Sequence, residues 1–401
     1  MSPRLSLFAA LISMSAAAQN AEFDKANRSL QEQSFSRACD AFTALVKSGS
    51  AGSLAREAEA KRLISCTNVG RESWSDLQKF AGEGEKDFAR AYASAILAER
   101  GYINFDAALP LLKQAASGEG RQATEAKALL VRGALNDQAR NSYNRARCES
   151  MADVVTAYAS NVNDVGRAQY QRAMCRFQDP ASYAAAEKDL KNLGDGKTEW
   201  ADDALYLLGQ RREGQGKYVE ALEFLDRLNG FSSVTSNQRE NGLRLAAQIR
   251  APTLGVGVSY FELSGQMPKV NLSWRNQTSV QFTLKKCDPL AAAEPQRVAN
   301  ELFERGTVVS TWSIPVEVAV KHAIGSKTFD LEVKGPGIYA LEARSGDQRS
   351  VTMALVTQTA TVAKSDGHQT VIWVSDVETG VAQPNAEVSL FHYNSKGSWQ
   401  K

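Results

Sequence analysis

The sequence predicts a multi-domain α-then-β protein, a helical array followed by antiparallel β-sandwich structure. Three observations carry this. Ala, Leu, Glu, Gln and Arg at helical apolar spacing fill the chain from Asn20 to about Arg250. At Ala251-Pro252 the pattern changes to alternation with period 2, and proline disfavours helix at the residue before it. The length, 401 residues, leaves room for two or three domains.

The first residues read as a processing signal. Arg4 supplies a basic start, and Leu5 to Met14 is an apolar run too short to span a bilayer. Ala16-Ala17-Ala18 supplies small residues, so residues 1–18 are expected to be a signal peptide cleaved after Ala18. No other segment approaches the length of a membrane-spanning helix, so the exported chain is expected to be soluble, periplasmic or extracellular. Net charge is +2 with no block of one sign, which argues against nucleic acid or an anionic membrane as partner.

Within residues 19–250 one helical unit recurs. Gly209, Tyr218, Ala221 and Leu225 are matched by Ala26, Phe35, Ala38 and Phe42. Ile96, Phe105, Ala108 and Leu112 repeat the spacing, as do Met174, Tyr183, Ala186 and Leu190. The alanine marks a close helix approach, the aromatic caps a turn, and the last residue fills the groove between units. The alanines fall near multiples of about 34 residues, so the array resembles tetratricopeptide repeats, with worn copies around Trp74 and Met151. Glu213 to Lys217 is a helix-stopping turn. Stacked units of this kind present a concave surface suited to a peptide or protein segment.

Export gives the cysteines meaning. Cys39 and Cys66 are 27 residues apart, and so are Cys148 and Cys175. Equal spacings in a repeat array suggest two disulfides, each tying a helix to the next; four separate buried thiols are the alternative. Cys287 is left over.

From residue 251 the strands follow. Val270, Leu272 and Trp274 alternate with polar residues, as do Val280, Phe282 and Leu284, and Asn276 to Ser279 reads as a hairpin turn between them. Trp312, Ile314, Val316, Val318 and Val320 form a further run in which Pro315 argues for an edge strand or a bulge. Phe329, Leu331 and Val333 follow, then a strand at Ile338, while Glu294 to Arg305 has helical character. Strands at this density mean an antiparallel sandwich over 251–350. Residues 351–401 hold about three strands, short of the roughly 100 residues of a complete sandwich, so they are expected to start a second, truncated one.

Three ordered segments carry a family resemblance that covers Pro252 to the end. They are Val270 to Asn276 with the Val280 strand, Gly335-Pro336-Gly337-Ile338-Tyr339, and Trp373 to Asp376 with Thr379-Gly380 and Ala386 to Val388. In order and spacing they resemble the macroglobulin β-sandwich domains of bacterial-type alpha-2-macroglobulins. Pro384 departs from the pattern, because family members commonly place proline directly after the Thr-Gly turn. The resemblance implies the N-terminal scaffold of a secreted endopeptidase inhibitor that traps proteases through parts of the parent beyond this chain. A periplasmic tetratricopeptide adaptor that organises an envelope complex is the alternative.

No catalytic residue, metal site or cofactor is expected. His322, His368 and His392 make no metal-ligand spacing, and Gly255-Val256-Gly257 lacks the rest of a nucleotide loop. No Gly-x-Ser-x-Gly elbow occurs. Cys175 and Gln178 have the spacing of the family's internal thioester but lack the residues between, and they lie in the helical array. Cys175 is therefore read as a disulfide partner.

Overall fold

The structure, a computed structural model, describes residues 21–231, 238–259, 261–263, 265–288, 298–390, 392–393 and 399–400. The expected signal peptide lies outside them. Helices fill the first part, and sheets follow that are antiparallel except where 261–263 pairs with 355–357 in parallel. Among the described residues no helix is long and apolar enough to cross a membrane. They form two compact units, one up to Leu208 and one from Gly209 onward.

The first unit begins with α1 (21–31), α2 (Phe35–Ser48), α3 (Ala55–Asn68), α4 (Trp74–Gly82) and α5 (Phe88–Glu99). It continues with α6 (Phe105–Ala116), α7 (Gly120–Arg140), α8 (Arg145–Tyr158), α9 (Val162–Arg176) and α10 (Tyr183–Gly194), and enters α11 (Ala201–Gly214). Helices α2 to α10 show many contacts between chain neighbours, and α3 also meets α5, α5 meets α7 and α7 meets α9. Their starts are polar by design. Ser73 and Asp76 close a capping box on α4, while Asp87, Asn104, Asn144 and Asn161 accept from the first turns of α5, α6, α8 and α9.

One turn recurs at helix ends. After α1, α3, α5 and α11, a residue with positive φ is followed by an N–H that reaches the carbonyl five residues back. The bonds are Ser34 to Ser29, Arg71 to Cys66, Tyr102 to Leu97 and Lys217 to Arg212. Glycine holds the left-handed position at 70, 101 and 216, but Gln33 holds it after α1 with φ 58°. The recurring alanines Ala38, Ala108, Ala186 and Ala221 are fully buried, and so are Phe42, Leu112, Leu190 and Leu225. The other two positions vary: Met174 and Tyr183 are exposed, while Ala26 and Phe105 are buried. Across the four series the alanine and the last position are thus uniformly buried, and the other two are not.

The second unit takes in the end of α11, α12 (Tyr218–Arg227) and α13 (Gln238–Arg250) together with the strands. Secondary structure changes after Arg250, where the sequence boundary was drawn, but compactness groups this last helical pair with the sheets. Side chains explain why. Asn276 Nδ2 donates to the carbonyls of Ile249 and Ala251, and Arg275 donates to Gln248 and lies over the Tyr218 ring.

The strands are β1 (Thr253–Val258), β2 (Phe261–Leu263), β3 (Lys269–Arg275), β4 (Ser279–Cys287) and β5 (Thr307–Pro315). Next come β6 (Gly325–Asp330), β7 (Gly337–Ser345) and β8 (Gln348–Thr357). One sheet has the order β1-β3-β6 and the other β2-β8-β7-β4-β5. Val270, Leu272 and Trp274 of β3 share a core with Val280, Phe282 and Leu284 of β4 and with Tyr339, Leu341 and Ala343 of β7. Burying each large side chain contributes about 1.5–3 kcal/mol. Gly325 lets β6 pass the indole of Trp274, since a Cβ there would lie 2.3 Å from Cε2.

Two expectations are corrected here. Asn276 to Ser279 is not a hairpin turn: β3 pairs with β1 and β6, whereas β4 pairs with β5 and β7. Both strands bury every second residue, β4 as far as Leu284, and each faces the same core from an opposite sheet. The segment therefore arches between layers. The boundary drawn at 350/351 falls inside β8, which pairs with β7 and β2, so this sandwich runs on to Thr357.

Pro315 ends β5, an edge strand of its sheet. Strand β7 is buried on both faces. Its odd-numbered residues face the sandwich core, while Ile338 and Ala340 pack with Leu302 and Phe303 of α14 (Ala299–Arg305) and with Cys287. Part of the predicted helical stretch, 289–297, lies outside the described residues. Tyr339 donates to the carbonyls of Lys334 and Gly335 and so secures the Gly-Pro-Gly turn before β7.

Beyond Thr357 come β9 (Thr359–Ser365) and β10 (Thr370–Asp376), an antiparallel pair. Asp376 accepts from the N–H groups of Glu378 and Thr379, which shapes the Thr379-Gly380 turn. Trp373 is 57% exposed, and Val362, Val371, Val388 and Leu390 are exposed as well. Short pairs of strands at β11 (His392–Tyr393) and β12 (Trp399–Gln400) complete the described residues.

Candidate functional site

The densest polar arrangement lies in the first unit, where α3 carries Glu57 and Lys61 one turn apart on a buried face. Lys61 is fully buried. Its ammonium lies 2.9 Å from Glu57, 3.0 Å from both oxygens of Glu125 on α7, and 2.8 Å from Asn27 Oδ1 on α1. The rings of Tyr92 and Phe23 stand 4.8 and 5.5 Å away. Arg121 grips both oxygens of Glu57 at 2.6 Å and reaches Glu125, and Gln122 adds a bond to Glu57.

Burial by itself would push the Glu57 carboxyl up, but the Arg121 hydrogen bonds, with Lys61 and Gln122, outweigh it and hold the group below its ordinary value. Both carboxylates of the centre are paired to cations. The arrangement locks α1, α3 and α7 in register; it is not poised for proton transfer at neutral pH.

Beside this centre runs an open groove of ≈ 440 Å³. Ile64, Tyr92, Ile96 and Leu129 of α3, α5 and α7 contribute apolar surface, and Gln33 and Asn68 contribute amides. Its charged groups all have partners, though Arg100's is a neutral amide. Arg132 pairs with Glu99, Arg100 donates to Asn68 Oδ1, and Glu125 belongs to the buried centre.

A third feature is acidic. Asp203 at the start of α11 has its pKa pushed up to about 6 by burial first, and then by Asp202 and Glu199. Tyr170 feels Asp203 in turn and is raised as well, chiefly by burial. Sequence reading did not single out Lys61, Glu57 or Asp203. A charged pair one turn apart on a helix is ordinarily a solvated face, and only α1 and α7 turn this one into an interior.

The cysteines lie on adjacent helices. Cys39 of α2 is bonded to Cys66 of α3, and Cys148 of α8 to Cys175 of α9, with Cα separations of 4.8 and 6.5 Å. All four are buried. Cys175 thus has no thiol to offer Gln178, whose amide donates to the Ser142 carbonyl. Cys287 is a buried free thiol whose pKa is raised by burial. Gly255 sits on β1 opposite Ser273, where a Cβ would lie 2.8 Å from the hydroxyl, so it permits strand approach. His322 and His368 lie in separate loops. Among the described residues no group of three or more His, Cys, Asp or Glu could hold a metal ion.

No protein-family model and no curated protein matches the chain. Solved structures overlap it weakly. Native alpha-2-macroglobulin from Escherichia coli, in a structure spanning domains MG0-NIE-MG1, aligns at 15% identity with a TM-score of 0.26. That alignment covers 33% of this chain and 47% of that one, so the chain spans under half of that structure. The N-terminal part of the bacterial S-layer protein SbsC aligns at 12% identity and a TM-score of 0.21, over 89% of this chain and 92% of that one. Neither superposition defines a shared fold at such scores.

Proposed function

We propose that this chain is the N-terminal scaffold of a secreted endopeptidase inhibitor of the alpha-2-macroglobulin kind. In this reading the helical unit consists of tetratricopeptide-like hairpins, and β9–β10 opens a second macroglobulin-like sandwich. The single observation that carries it is the order of the three motif segments along the chain, each holding or entering a strand, while Ala386 to Val388 of the third lies on no strand. The first is β3 with its arch at Asn276, the second is the Gly335–Gly337 turn entering β7, and the third is β10 entering the Asp376 turn. Two disulfides fit an oxidising compartment, and the leader-like start fits export.

The implied mechanism is mechanical. A protease cuts a bait segment in the parent, sandwich domains rearrange, and the protease is enclosed. This chain would carry those domains and supply no chemistry. The test is to incubate the full-length parent with a protease and assay a large protein substrate beside a small chromogenic peptide. Loss of cleavage of the large substrate with the small one still cleaved is expected, and the chain alone should alter neither. Undiminished cleavage of both in the presence of the parent would overturn the reading, as would a gene ending at Lys401.

The groove on α3, α5 and α7 favours a second reading, a periplasmic adaptor that holds a peptide segment. Binding of one defined envelope protein, abolished by Ile96→Asp, with no change in protease activity by the parent, would favour it over the first.

A further inference from the structure

The two disulfides close equal intervals of sequence in different electrostatic settings. Beside Cys39–Cys66 stands Arg71. The left-handed Gly70 turns the chain at the end of α3, and Arg71 N–H closes onto the carbonyl of Cys66 itself. This turn brings the Arg71 guanidinium back to α2. Its Nη1 donates to Cys39 Sγ at 3.7 Å and to the Asp40 carboxylate, and its Nη2 donates to Ser36 Oγ at 3.5 Å. Thr43, one turn beyond Cys39, has its hydroxyl 3.9 Å from Cys66 Sγ, and because a disulfide sulfur carries no hydrogen, the hydroxyl is the donor. Each sulfur of this bond therefore meets a donor, and the one on Cys39 is charged.

Cys148–Cys175 is the reverse case. The position after Cys175 that corresponds to Arg71 holds Pro180. Cys148 Sγ lies 3.6 Å from the carbonyl oxygen of Gln171, an acceptor whose negative end opposes charge on that sulfur. The neighbouring Arg176 is held by Glu149 and Asp189. A thiolate formed at Cys39 would thus be stabilised, and one formed at Cys148 would not. Asp40 shares Arg71, but its carboxylate is exposed and screened by solvent, whereas the Cys39 sulfur is buried.

We infer that Cys39–Cys66 is a redox-responsive latch opened by a dithiol reductant, whereas Cys148–Cys175 is a structural cross-link. In the first step a thiolate of the reductant attacks Cys66 Sγ. A new S–S bond forms there, the Cys39–Cys66 bond breaks, and its electron pair leaves on Cys39 as a thiolate that Arg71 stabilises. The second thiolate of the reductant then attacks its own sulfur in the mixed disulfide, and Cys66 departs and takes up a proton. The dithiol ends as its internal disulfide, having passed two electrons to the cysteines. Helix α2 loses its covalent tie to α3, while Lys61 still holds α1 to α3 and α7. Phe35, the first residue of α2, lines the groove beside that centre, so the latch acts on one wall of the groove.

Reduction of the full chain with dithiothreitol, with released thiols alkylated and mapped over time, tests this. Cys39 and Cys66 should be labelled about tenfold faster than Cys148 and Cys175, and in denaturant the difference should vanish. Arg71→Gln should slow release of the first bond toward the rate of the second. Loss of fold cannot mimic that result, because it would speed release. Equal rates for the two bonds in the native protein overturn the latch, as does earlier release of Cys148 and Cys175, or release in Arg71→Gln as fast as in the unsubstituted protein. So does a pH profile of Cys39 alkylation, in the reduced unsubstituted protein, that places its thiol at or above the ordinary value of about 8.5. That last measurement depends on no variant.

Discussion

Lys61 and Phe282 are both fully buried, in opposite kinds of interior. Around Lys61 the first unit gathers two carboxylates, a second cation and an asparagine from α1, α3 and α7. Around Phe282 the second unit gathers apolar side chains, with Trp312 stacked at 5.1 Å and Phe329 edge-on at 5.5 Å. The contrast follows from what each element leaves undetermined. A strand in a ladder has its neighbour and register set by backbone hydrogen bonds and by alternation. A helix satisfies its own backbone, so its rotation and sliding against neighbours rest on side chains alone. Charge pairs and disulfides supply that register in the helical unit. Gln138 does the same without charge, donating to the carbonyls of Cys148 and Ala168 on α8 and α9.

The sharpest way to break the comparison is one substitution in each interior. Lys61→Ala leaves buried Glu57 and half-buried Glu125 with Arg121 as their one cation and should cost about 3–5 kcal/mol. Phe282→Ala should cost a similar ~3–5 kcal/mol by opening a cavity. Hydrogen exchange followed through a denaturant series should register the first loss in α1, α3 and α7 and the second in β3, β4 and β7. Equal losses in both units from either change would show that they unfold as one.

The disulfides come next. The double variant Cys39→Ser with Cys66→Ser should lose about 3 kcal/mol, by the chain-entropy account of a loop of this size. The loss should appear in helix signal by circular dichroism, with the sandwich unaffected. Non-reducing peptide mapping of exported protein should find Cys39–Cys66 and Cys148–Cys175 peptides; four free thiols would refute both pairings.

A pH series sharpens the comparison within the helical unit, because two of its acids act with opposite sign. Glu57 is held below its ordinary 4.5, so its contribution is present above that pH and is lost as pH falls through the folded value. Asp203 is raised from 3.8 to about 6, so stability is lost as pH rises through 6. Thermal melts of Asp203→Asn should therefore exceed those of the unsubstituted protein at neutral pH and converge with them in acid. A constant offset at all pH values would contradict this assignment.

The smallest expected effect is at Gln33. Gln33→Gly matches the glycines at 70, 101 and 216 and should gain about 1 kcal/mol by relieving left-handed backbone. It also removes an amide from the groove. A melt shows the first effect, and isothermal titration with an uncharged extended peptide shows whether the second weakens binding.

Sequence by itself determined what depends on neighbours along the chain. Helical spacing placed Ala221 and Leu225 on one buried face, and alternation pointed Val270, Leu272 and Trp274 to one side of their strand. Pro315 marked an edge strand for a reason local to its missing N–H, although the strand stops there and does not run on to Val320. Tertiary structure alone decided which surfaces meet. It opened the segment after Asn276 into an arch, because alternation shows that β3 and β4 each have an inner face but not that those faces belong to opposite sheets. It drew the end of α13 to the strands through Asn276, whose bonds span 25 and 27 residues, and α12 through Arg275 over the Tyr218 ring. And it turned Glu57 and Lys61 from an ordinary helical pair into an interior, because the groups that enclose them come from α1, 34 residues before Lys61, and from α7, 64 residues after it. Local pattern states what a residue can bury; the partner that buries it is set by loop closure over distances that no local window spans.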